Sequence, residues 1–280
     1  MKSRKSVSYY FALISLFVGV GLLSYPTISN IVNDRHSSKA IASYQEAVEK
    51  LDDSLYRKEL EKAKKHNARL AKQGFLAAGL DMERKDGYKD YHARLNVSKD
   101  GMMAIIRIPK IHVKLPIYHK TNQDVISRAI GHYTGSSLPI GGKSSHAILS
   151  GHRGLPSANL FSDLDQLQKG DIFYIEVLNE TLAYQVDKTK TIDPKDVSDL
   201  DIISNKDYVT LLTCTPYGVN THRLLVRGER IPYKGHEEVQ KDRLNSYFYS
   251  STFKETMVVL ALLLGMIVLM WIYYKKGKKE

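Results

Sequence analysis

The only cysteine of this 280-residue chain, Cys214, is its best candidate for a nucleophile. It ends the stretch Thr-Leu-Leu-Thr-Cys at residues 210–214, and Arg223 follows nine residues later. If the two segments pair as antiparallel strands around the loop between them, Cys214 and Arg223 lie opposite each other at one end of a sheet. A neighbouring guanidinium favours the thiolate, which is the attacking form, and donates hydrogen bonds to the oxyanion of an attacked carbonyl.

A thiol nucleophile also needs a group that transfers protons, and the chain has ten histidines. His152 is the first candidate, because it follows a short apolar segment at 146–150 and stands between two glycines, as at the rim of a sheet. His132 and His222 are its competitors. Most single histidines are structural or surface residues, so spacing alone leaves the choice open.

Two uncharged apolar runs, residues 9–25 and 256–274, lie near the chain ends. Each approaches the roughly 20 residues that a membrane-spanning helix needs. Aromatic residues followed by lysines end the second run, which is typical of a membrane interface. By the positive-inside rule both termini are cytoplasmic, which predicts a two-helix protein of the cell membrane with an extracellular middle. A cleaved signal peptide is the alternative for the first run, but no small-x-small cleavage site follows Leu23.

The net charge of +11 would by itself suggest nucleic-acid binding. Residues 1–5 and 275–280 together hold seven basic residues and one acidic residue, which is more than half of the excess. Because this charge flanks the apolar runs, we assign it to the membrane and expect no nucleic-acid partner.

An extracellular chain with one cysteine cannot form an internal disulfide. Cys214 is then a reactive thiol or a partner in an intermolecular bond, with an inert buried cysteine as the remaining alternative. The inert alternative fits less well, because an exported thiol without a role is exposed to oxidation.

Residues 37–80 predict a helical arm that leads away from the membrane. Apolar residues recur at helical spacing, and glutamates precede lysines by four residues. We expect two helices, at about 37–57 and 58–73, which form either a stalk packed on the core or a docking arm, with the stalk favoured. Residues 81–100 are polar without periodicity and predict a loop.

The region from residue 101 onward changes to short strands separated by turns. A short helix from Asn122 to Ile130 and helical turns at 157–167 are expected in the connections. This pattern favours a β-barrel or a β-sandwich. The strands are predicted at 103–108, 111–117, 146–150, 172–177, 182–186, 208–214 and 223–230.

Five segments follow from these patterns. They are a cytoplasmic tail with the N-terminal membrane anchor at 1–28, a helical arm and loop at 29–100, the β domain at 101–232, a juxtamembrane connector at 233–255, and a transmembrane helix with a basic tail at 256–280.

These residues together resemble the sortase family. Residues 210–214 resemble the signature Thr-Leu-x-Thr-Cys, with an arginine downstream and a histidine upstream. The Ser-Gly-His-Arg-Gly segment around His152 is similar to the histidine segment of class C, the pilin-polymerising sortases, and a C-terminal anchor is also typical of that class. The resemblance covers about residues 100–280 and selects His152 from the ten histidines.

The resemblance implies a mainly β fold, a closed eight-stranded sortase-type β-barrel with short connecting helices. It implies a Gram-positive cysteine transpeptidase that cuts a Leu-Pro-x-Thr-Gly-like sorting signal between Thr and Gly. Cys214 is then expected to form a thioester with the threonine, His152 to exchange protons with the leaving and incoming amines, and Arg223 to stabilise the oxyanion or position the substrate. The expected partners are pilin subunits that carry such a signal and an acceptor lysine.

Further candidates surround these three residues. Thr213 is expected to bind substrate through its hydroxyl or backbone, or else to be an ordinary β-branched strand residue. Asp163 or Asp165 is a candidate to orient His152, with a solvated acid as the alternative. No spacing resembles a metal site, so we expect no metal and no other cofactor.

The chain departs from the class C pattern before the barrel. Pilin sortases usually carry an Asp-Pro-aromatic lid over the active site, but no proline occurs between Pro26 and Pro109. The sequence therefore predicts that the usual lid anchor is missing, with residues 86–91 as a cover of a different kind.

Three other functions remain. A sortase that anchors proteins to peptidoglycan uses the same chemistry with another nucleophile. A non-catalytic membrane-bound pilus assembly module predicts that replacing Cys214 changes nothing. A papain-like hydrolase is disfavoured, because in that family the cysteine precedes the histidine.

Overall fold

The computed structural model describes residues 2–73, 85–235, 257–258, 261–266 and 268. The helices are α1 (Lys2–Glu49), α2 (Asp53–Gln73), α3 (Lys85–Ala93) and α4 (Gln123–Ile126). The strands are β1 (Met102–Ile108), β2 (Val113–His119), β3 (Ile130–His132), β4 (Ser145–Ser150), β5 (Ile172–Val177), β6 (Glu180–Ile192), β7 (Asp207–Thr215) and β8 (His222–Ile231). Single 3-10 turns occur at Pro109–Ile111 and Leu164–Gln166.

The eight strands close into a barrel in the order β1-β2-β3-β4-β7-β8-β6-β5, so the predicted barrel is confirmed. Most neighbours are antiparallel, but β2 pairs with β3 and β4 pairs with β7 in parallel. Closure leaves no unpaired sheet edge, which is how a barrel satisfies its backbone hydrogen bonds. The parallel β4–β7 pair matters most for function, because the two strands end at the same edge.

Strand β1 is buried along its whole length. One side faces the barrel interior, and helix α1 covers its start, where the Tyr44 hydroxyl donates to the Met103 carbonyl at 2.9 Å. The same hydroxyl accepts from the Leu178 N–H at 2.9 Å. Helix α1 is thereby fixed to the β domain by hydrogen bonds as well as by apolar packing.

The N-terminal helices differ from the predicted bounds. Helix α1 runs without interruption through the first apolar run and into the arm, with Pro26 inside it. The expected boundary near residue 57 is wrong, because the chain breaks at 50–52 instead. There the Asp52 side chain accepts from the Leu55 N–H at 2.8 Å and caps the start of α2.

A helix long and apolar enough to cross a membrane is present at Ile14–Glu49, and its most apolar part is exposed. This exposed apolar surface indicates membrane anchoring by α1. In the second apolar run, residues 257–258, 261–266 and 268 are helical, and the rest lies outside the described residues. The second membrane helix therefore stays a prediction.

The loop expected at 81–100 is wrong in its middle, where α3 forms. Tyr91 and Leu95 are completely buried although the segment is polar overall. The Tyr91 hydroxyl accepts from the Lys120 N–H at 3.1 Å and pairs with Nδ1 of His132 at 2.9 Å. These tertiary contacts stabilise a helix that local periodicity does not predict.

The strand predictions hold for seven strands and miss β3, which has three residues. The helix expected from Asn122 to Ile130 ends at Ile126, because Ile130 belongs to β3. Strand β6 is much longer than predicted, and residues 188–192 pair with β8 after a register shift at Val186/Lys188. That half of β6 is largely polar on its exposed side, so it lacks the apolar alternation by which strands are recognised.

Candidate active site

The parallel pairing of β4 with β7 brings His152 level with Cys214. In this register Ser150 lies opposite Leu212, and His152 and Cys214 each follow two residues later. The Gly151 N–H donates to the Leu212 carbonyl at 3.1 Å, so the alignment continues beyond the end of β4. Because adjacent strands lie only about 4.8 Å apart, the histidine and the cysteine occupy neighbouring positions at one edge of the barrel.

Cys214 and Arg223 are direct partners in the antiparallel β7–β8 pair. The thiol is half-buried and free. Nη1 of Arg223 donates to the carbonyls of Asn220 and His222, at 3.2 and 3.1 Å. The guanidinium is thus held against the β7–β8 loop, next to the strand position of Cys214.

Thr213 is buried, with 1% of its surface exposed. Its hydroxyl donates to the Gly151 carbonyl at 2.8 Å. This bond links the strand that carries Cys214 to the loop that carries His152. The side chain of Thr213 therefore serves the alignment of the two residues, and substrate contact through it stays a prediction.

Gly151 is required by packing at this junction. A Cβ atom there would lie 2.7 Å from Cδ1 of Ile130 and 2.9 Å from the Phe161 ring. The next residue is fixed by its backbone, because the His152 carbonyl accepts from the Phe161 N–H at 3.0 Å. The loop is thus pressed onto the barrel directly before the histidine.

His152 is half-buried, and burial lowers its pKa below the ordinary value of 6.5. Its Nε2 atom is enclosed, and no residue in the described part of the chain forms a hydrogen bond with it. At neutral pH the ring is therefore mostly uncharged, which is the form that accepts a proton.

Arg153 is a site residue that sequence reasoning missed. Its Nη1 donates to the Thr215 hydroxyl at 3.1 Å, its Nε donates to the Ser162 carbonyl at 3.1 Å, and its Nη2 pairs with Asp165. Arg153 follows His152 and Thr215 follows Cys214, so this guanidinium is a second link between the two strands. The signal was present in the sequence as an arginine between the histidine and a glycine.

The aspartates considered as partners of His152 have other roles. Asp165 pairs with Arg153, and Asp163 accepts from the Gln166 side-chain amide at 2.9 Å. An effect of Asp165 on His152 therefore passes through Arg153.

His132 and His222, the other candidates for proton transfer, are not aligned with Cys214 as His152 is. His132 is completely buried in β3, where its Nε2 forms a hydrogen bond with the Ser137 carbonyl at 2.8 Å. Burial lowers the pKa of His132 to about 3. His222 is exposed and is the strand partner of Thr215. Within the described residues, no three His, Cys, Asp or Glu side chains gather in a way that could hold a metal ion.

The expected cover of the site falls only partly on described residues. Residues 81–84 lie outside them, and 86–88 belong to α3. Asp90 accepts from Nδ1 of His66 at 3.0 Å, and Tyr91 binds β2 and β3. These two side chains are held by partners other than Cys214 and His152, and the missing lid anchor stays a prediction.

Comparison with known proteins agrees with this geometry. A profile described as "Sortase domain" matches residues 106–231. Sortase D of Bacillus subtilis is 32% identical over 130 residues, which cover 45% of this chain and 63% of that protein. The chain thus spans less than two thirds of that relative.

Solved structures extend the likeness. Sortase C1 of Streptococcus agalactiae is 50% identical, with a TM-score of 0.67, over 70% of this chain and 100% of the other. A pilus-related sortase C of Group B Streptococcus is 41% identical, with a TM-score of 0.60, over 69% of this chain and 98% of the other. Since identity at this level extends along the whole of a solved sortase C1 chain, this protein belongs to the sortase family of cysteine transpeptidases, in class C.

Proposed function

We propose that the protein cleaves a Leu-Pro-x-Thr-Gly-like sorting signal between Thr and Gly and joins the threonine to a lysine of a pilin subunit. The register of β4, β7 and β8 carries this proposal, because it brings His152, Cys214 and Arg223 to one edge of the barrel. The likeness to a pilus-related sortase C supports pilin as the substrate class.

The first step forms the thioester. The Cys214 thiolate attacks the threonine carbonyl, a sulfur–carbon bond forms, and the carbon–nitrogen bond to glycine breaks. The proton that the Cys214 thiol loses passes to His152, which donates it to the leaving amine. Arg223, opposite the cysteine, donates to the oxyanion that develops on the carbonyl oxygen.

The second step transfers the acyl group. A lysine amine attacks the thioester carbonyl, and the thiolate leaves as the isopeptide bond forms. Free lysine has a pKa of about 10.4, so its ammonium must lose a proton before it attacks. Uncharged His152 accepts that proton, and its lowered pKa favours this form at neutral pH.

We further propose that the barrel is extracellular, with both termini in the cytoplasm. The charge distribution beside the two apolar runs supports this orientation. Attachment to the membrane keeps the enzyme close to substrates that are exported across the same membrane.

The test uses the full-length chain in liposomes with a purified pilin that carries the sorting signal. Covalent oligomers with Thr–Lys isopeptide bonds are expected by mass spectrometry, along with a threonine thioester on Cys214. Cys214→Ala should abolish both, and His152→Ala should slow transfer by about 10²–10⁴-fold. His112→Asn, at an exposed position directly before β2, serves as the matched histidine control.

The first two alternatives give different products when cell-wall peptides are added to the same liposomes, and the third gives a different result in cells. Transfer only to cell-wall peptides would replace the pilin proposal with peptidoglycan anchoring. Hydrolysis with no transfer to an amine would indicate a hydrolase. Unchanged surface display in the Cys214→Ala variant would indicate a non-catalytic assembly module.

A further inference from the structure

Helix α1 packs against the β domain along one stripe of its surface. From Ser37 onward the buried residues are spaced by four, three and four positions, which keeps them on one face of the helix, and Thr27 lies ten residues earlier. They are Thr27, Ser37, Ile41, Tyr44 and Val48, each at most 6% exposed. The packing therefore begins two residues beyond the apolar run that ends at Tyr25.

The first residues of this stripe reach the loop that carries His152. The Ser29 hydroxyl donates to the Ser157 carbonyl at 3.2 Å, five residues after the histidine. A helix rises about 1.5 Å per residue, so Ser29 lies only about 6 Å above Tyr25. Tyr44, about 22 Å further along the helix, touches Met103 and Leu178 instead. The edge with His152 is thus the end of the barrel nearest the membrane.

The opposite face of α1 stays apolar and exposed at this height. Ile28 is 59% exposed and Val32 is 45% exposed, and both lie beyond the apolar run assigned to the bilayer. Exposed apolar side chains that continue an anchor helix are typical of the membrane interface. The lipid-facing surface therefore extends to the level of the Ser29–Ser157 contact.

The β7–β8 loop places two more exposed apolar side chains at the same end. Tyr217 is 62% exposed and Val219 is 65% exposed, three and five residues after Cys214. The Tyr217 ring lies against Gly154, where a Cβ atom would be 3.0 Å away. Gly154 has a positive φ of +74° and lies three residues before Ser157, so the loop tip and the α1 contact belong to one region.

We propose that Tyr217 and Val219 rest on the lipid surface, so that the active-site edge of the barrel is held against the membrane. The partner is the interface of the bilayer that α1 spans. Two features point to lipid: α1 is one continuous helix from the apolar run to the barrel, and the exposed apolar side chains of α1 and of the loop tip lie at the same end of the barrel. An aromatic ring with a hydroxyl, as in Tyr217, suits the headgroup region.

This arrangement limits which substrates reach the thiol. If the protein has the proposed function, a sorting signal must be presented close to the membrane surface to enter the site. A signal displayed far from the membrane is then a poor substrate even when its sequence is correct.

The test measures lipid contact without any substrate, so its outcome is independent of the proposed function. The full chain, with Trp271→Phe to remove its only tryptophan, receives Val219→Trp and is placed in nanodiscs of phospholipid brominated near the headgroup end of the acyl chains. Loss of tryptophan emission, relative to nanodiscs of unbrominated lipid, is the expected result.

The matched control is Ile203→Trp in the same background. Ile203 is 46% exposed and lies four residues before β7 begins, at the opposite end of that strand from Cys214. Emission from position 203 should be unchanged by bromination. Equal emission loss at 203 and 219, or none at 219, would overturn the proposal.

A second variant separates lipid contact from contact with protein. Seven helix-forming residues inserted between Pro26 and Thr27 move the barrel about 10 Å away from the membrane. Seven residues are close to two helical turns, so the packing face of α1 keeps nearly the same direction. Emission loss at position 219 should disappear in this variant. Emission that changes only when sorting-signal peptide is added would assign the tip to substrate and also overturn the proposal.

Discussion

Thr213 has two possible roles that kinetics can separate. Its hydroxyl donates to the Gly151 carbonyl, and the same residue is a candidate for substrate contact. A positioning role affects the chemical step, whereas substrate binding affects the Michaelis constant.

We predict that Thr213→Val lowers kcat and leaves KM almost unchanged, because it removes the bond that aligns His152 with Cys214. The buried Gly151 carbonyl loses its donor, so unfolding free energy should fall by about 1–2 kcal/mol. Thr213→Ser keeps the hydroxyl and is the control. A rise in KM with kcat preserved would favour direct substrate contact. Steady-state transfer of a sorting-signal peptide to an amine measures both constants.

At the scale of elements, α1 is held to the barrel by polar contacts that the sequence of the helix does not predict. Tyr44 is 1% exposed and satisfies one backbone carbonyl and one backbone N–H of the β domain. The anchor helix and the catalytic barrel thus form one unit.

We predict that Tyr44→Phe lowers the unfolding free energy by about 2 kcal/mol, because it leaves two buried backbone groups without a partner. Tyr56→Phe is the control, since the Tyr56 hydroxyl bonds Glu180 at an exposed site, and its cost should stay below about 0.5 kcal/mol. Urea unfolding of the full chain in detergent, followed by circular dichroism, makes the comparison. Equal costs for the two variants would contradict the role given to Tyr44.

The segment before the barrel carries the prediction of a missing lid anchor. Removing residues 81–98 would also remove Tyr91 and Leu95, which are completely buried, and would destabilise the barrel. Deletion of residues 81–84 alone leaves Tyr91 and Leu95 in place and is therefore the more specific test. We predict that Cys214 then reacts with a small alkylating reagent as fast as in the intact chain. A large gain in rate would show that this segment guards the thiol.

At the scale of the whole molecule, three of the buried histidines give the largest dependence of stability on pH. Burial lowers the pKa of His119 and His146 to about 4, and that of His132 to about 3. Their ordinary value in the unfolded chain is 6.5, so between these values the unfolded state binds more protons. Stability is therefore complete above pH 6.5 and is lost as the pH falls towards 4.

We predict that each of these histidines contributes a slope of about 1.4 kcal/mol per pH unit to the unfolding free energy in this window. His132→Asn should reduce the slope by one such contribution, whatever its effect on stability at neutral pH. His112→Asn, at an exposed position, should leave the slope unchanged. Urea midpoints measured from pH 7 to pH 4 provide the readout, and a flat profile in the unmodified chain would refute the linkage.

The sequence by itself determined those features that depend on neighbours along the chain. The nine-residue spacing of Cys214 and Arg223 predicts their pairing across β7 and β8, because a hairpin fixes its own register. Alternating residues and short apolar segments between turns predicted seven strands, and the apolar run at 9–25 predicted the anchor. The motif around His152 selected the histidine only through its resemblance to a family.

Tertiary structure alone decided the features that depend on distant pairing. The level alignment of His152 with Cys214 comes from parallel pairing of β4 with β7, which lie about sixty residues apart. Contacts between distant segments also determine the partners of Arg153, the burial of α3 and the position of the barrel along α1. Closure of the barrel and burial of its core decide which strands become neighbours. Local periodicity does not predict these pairings.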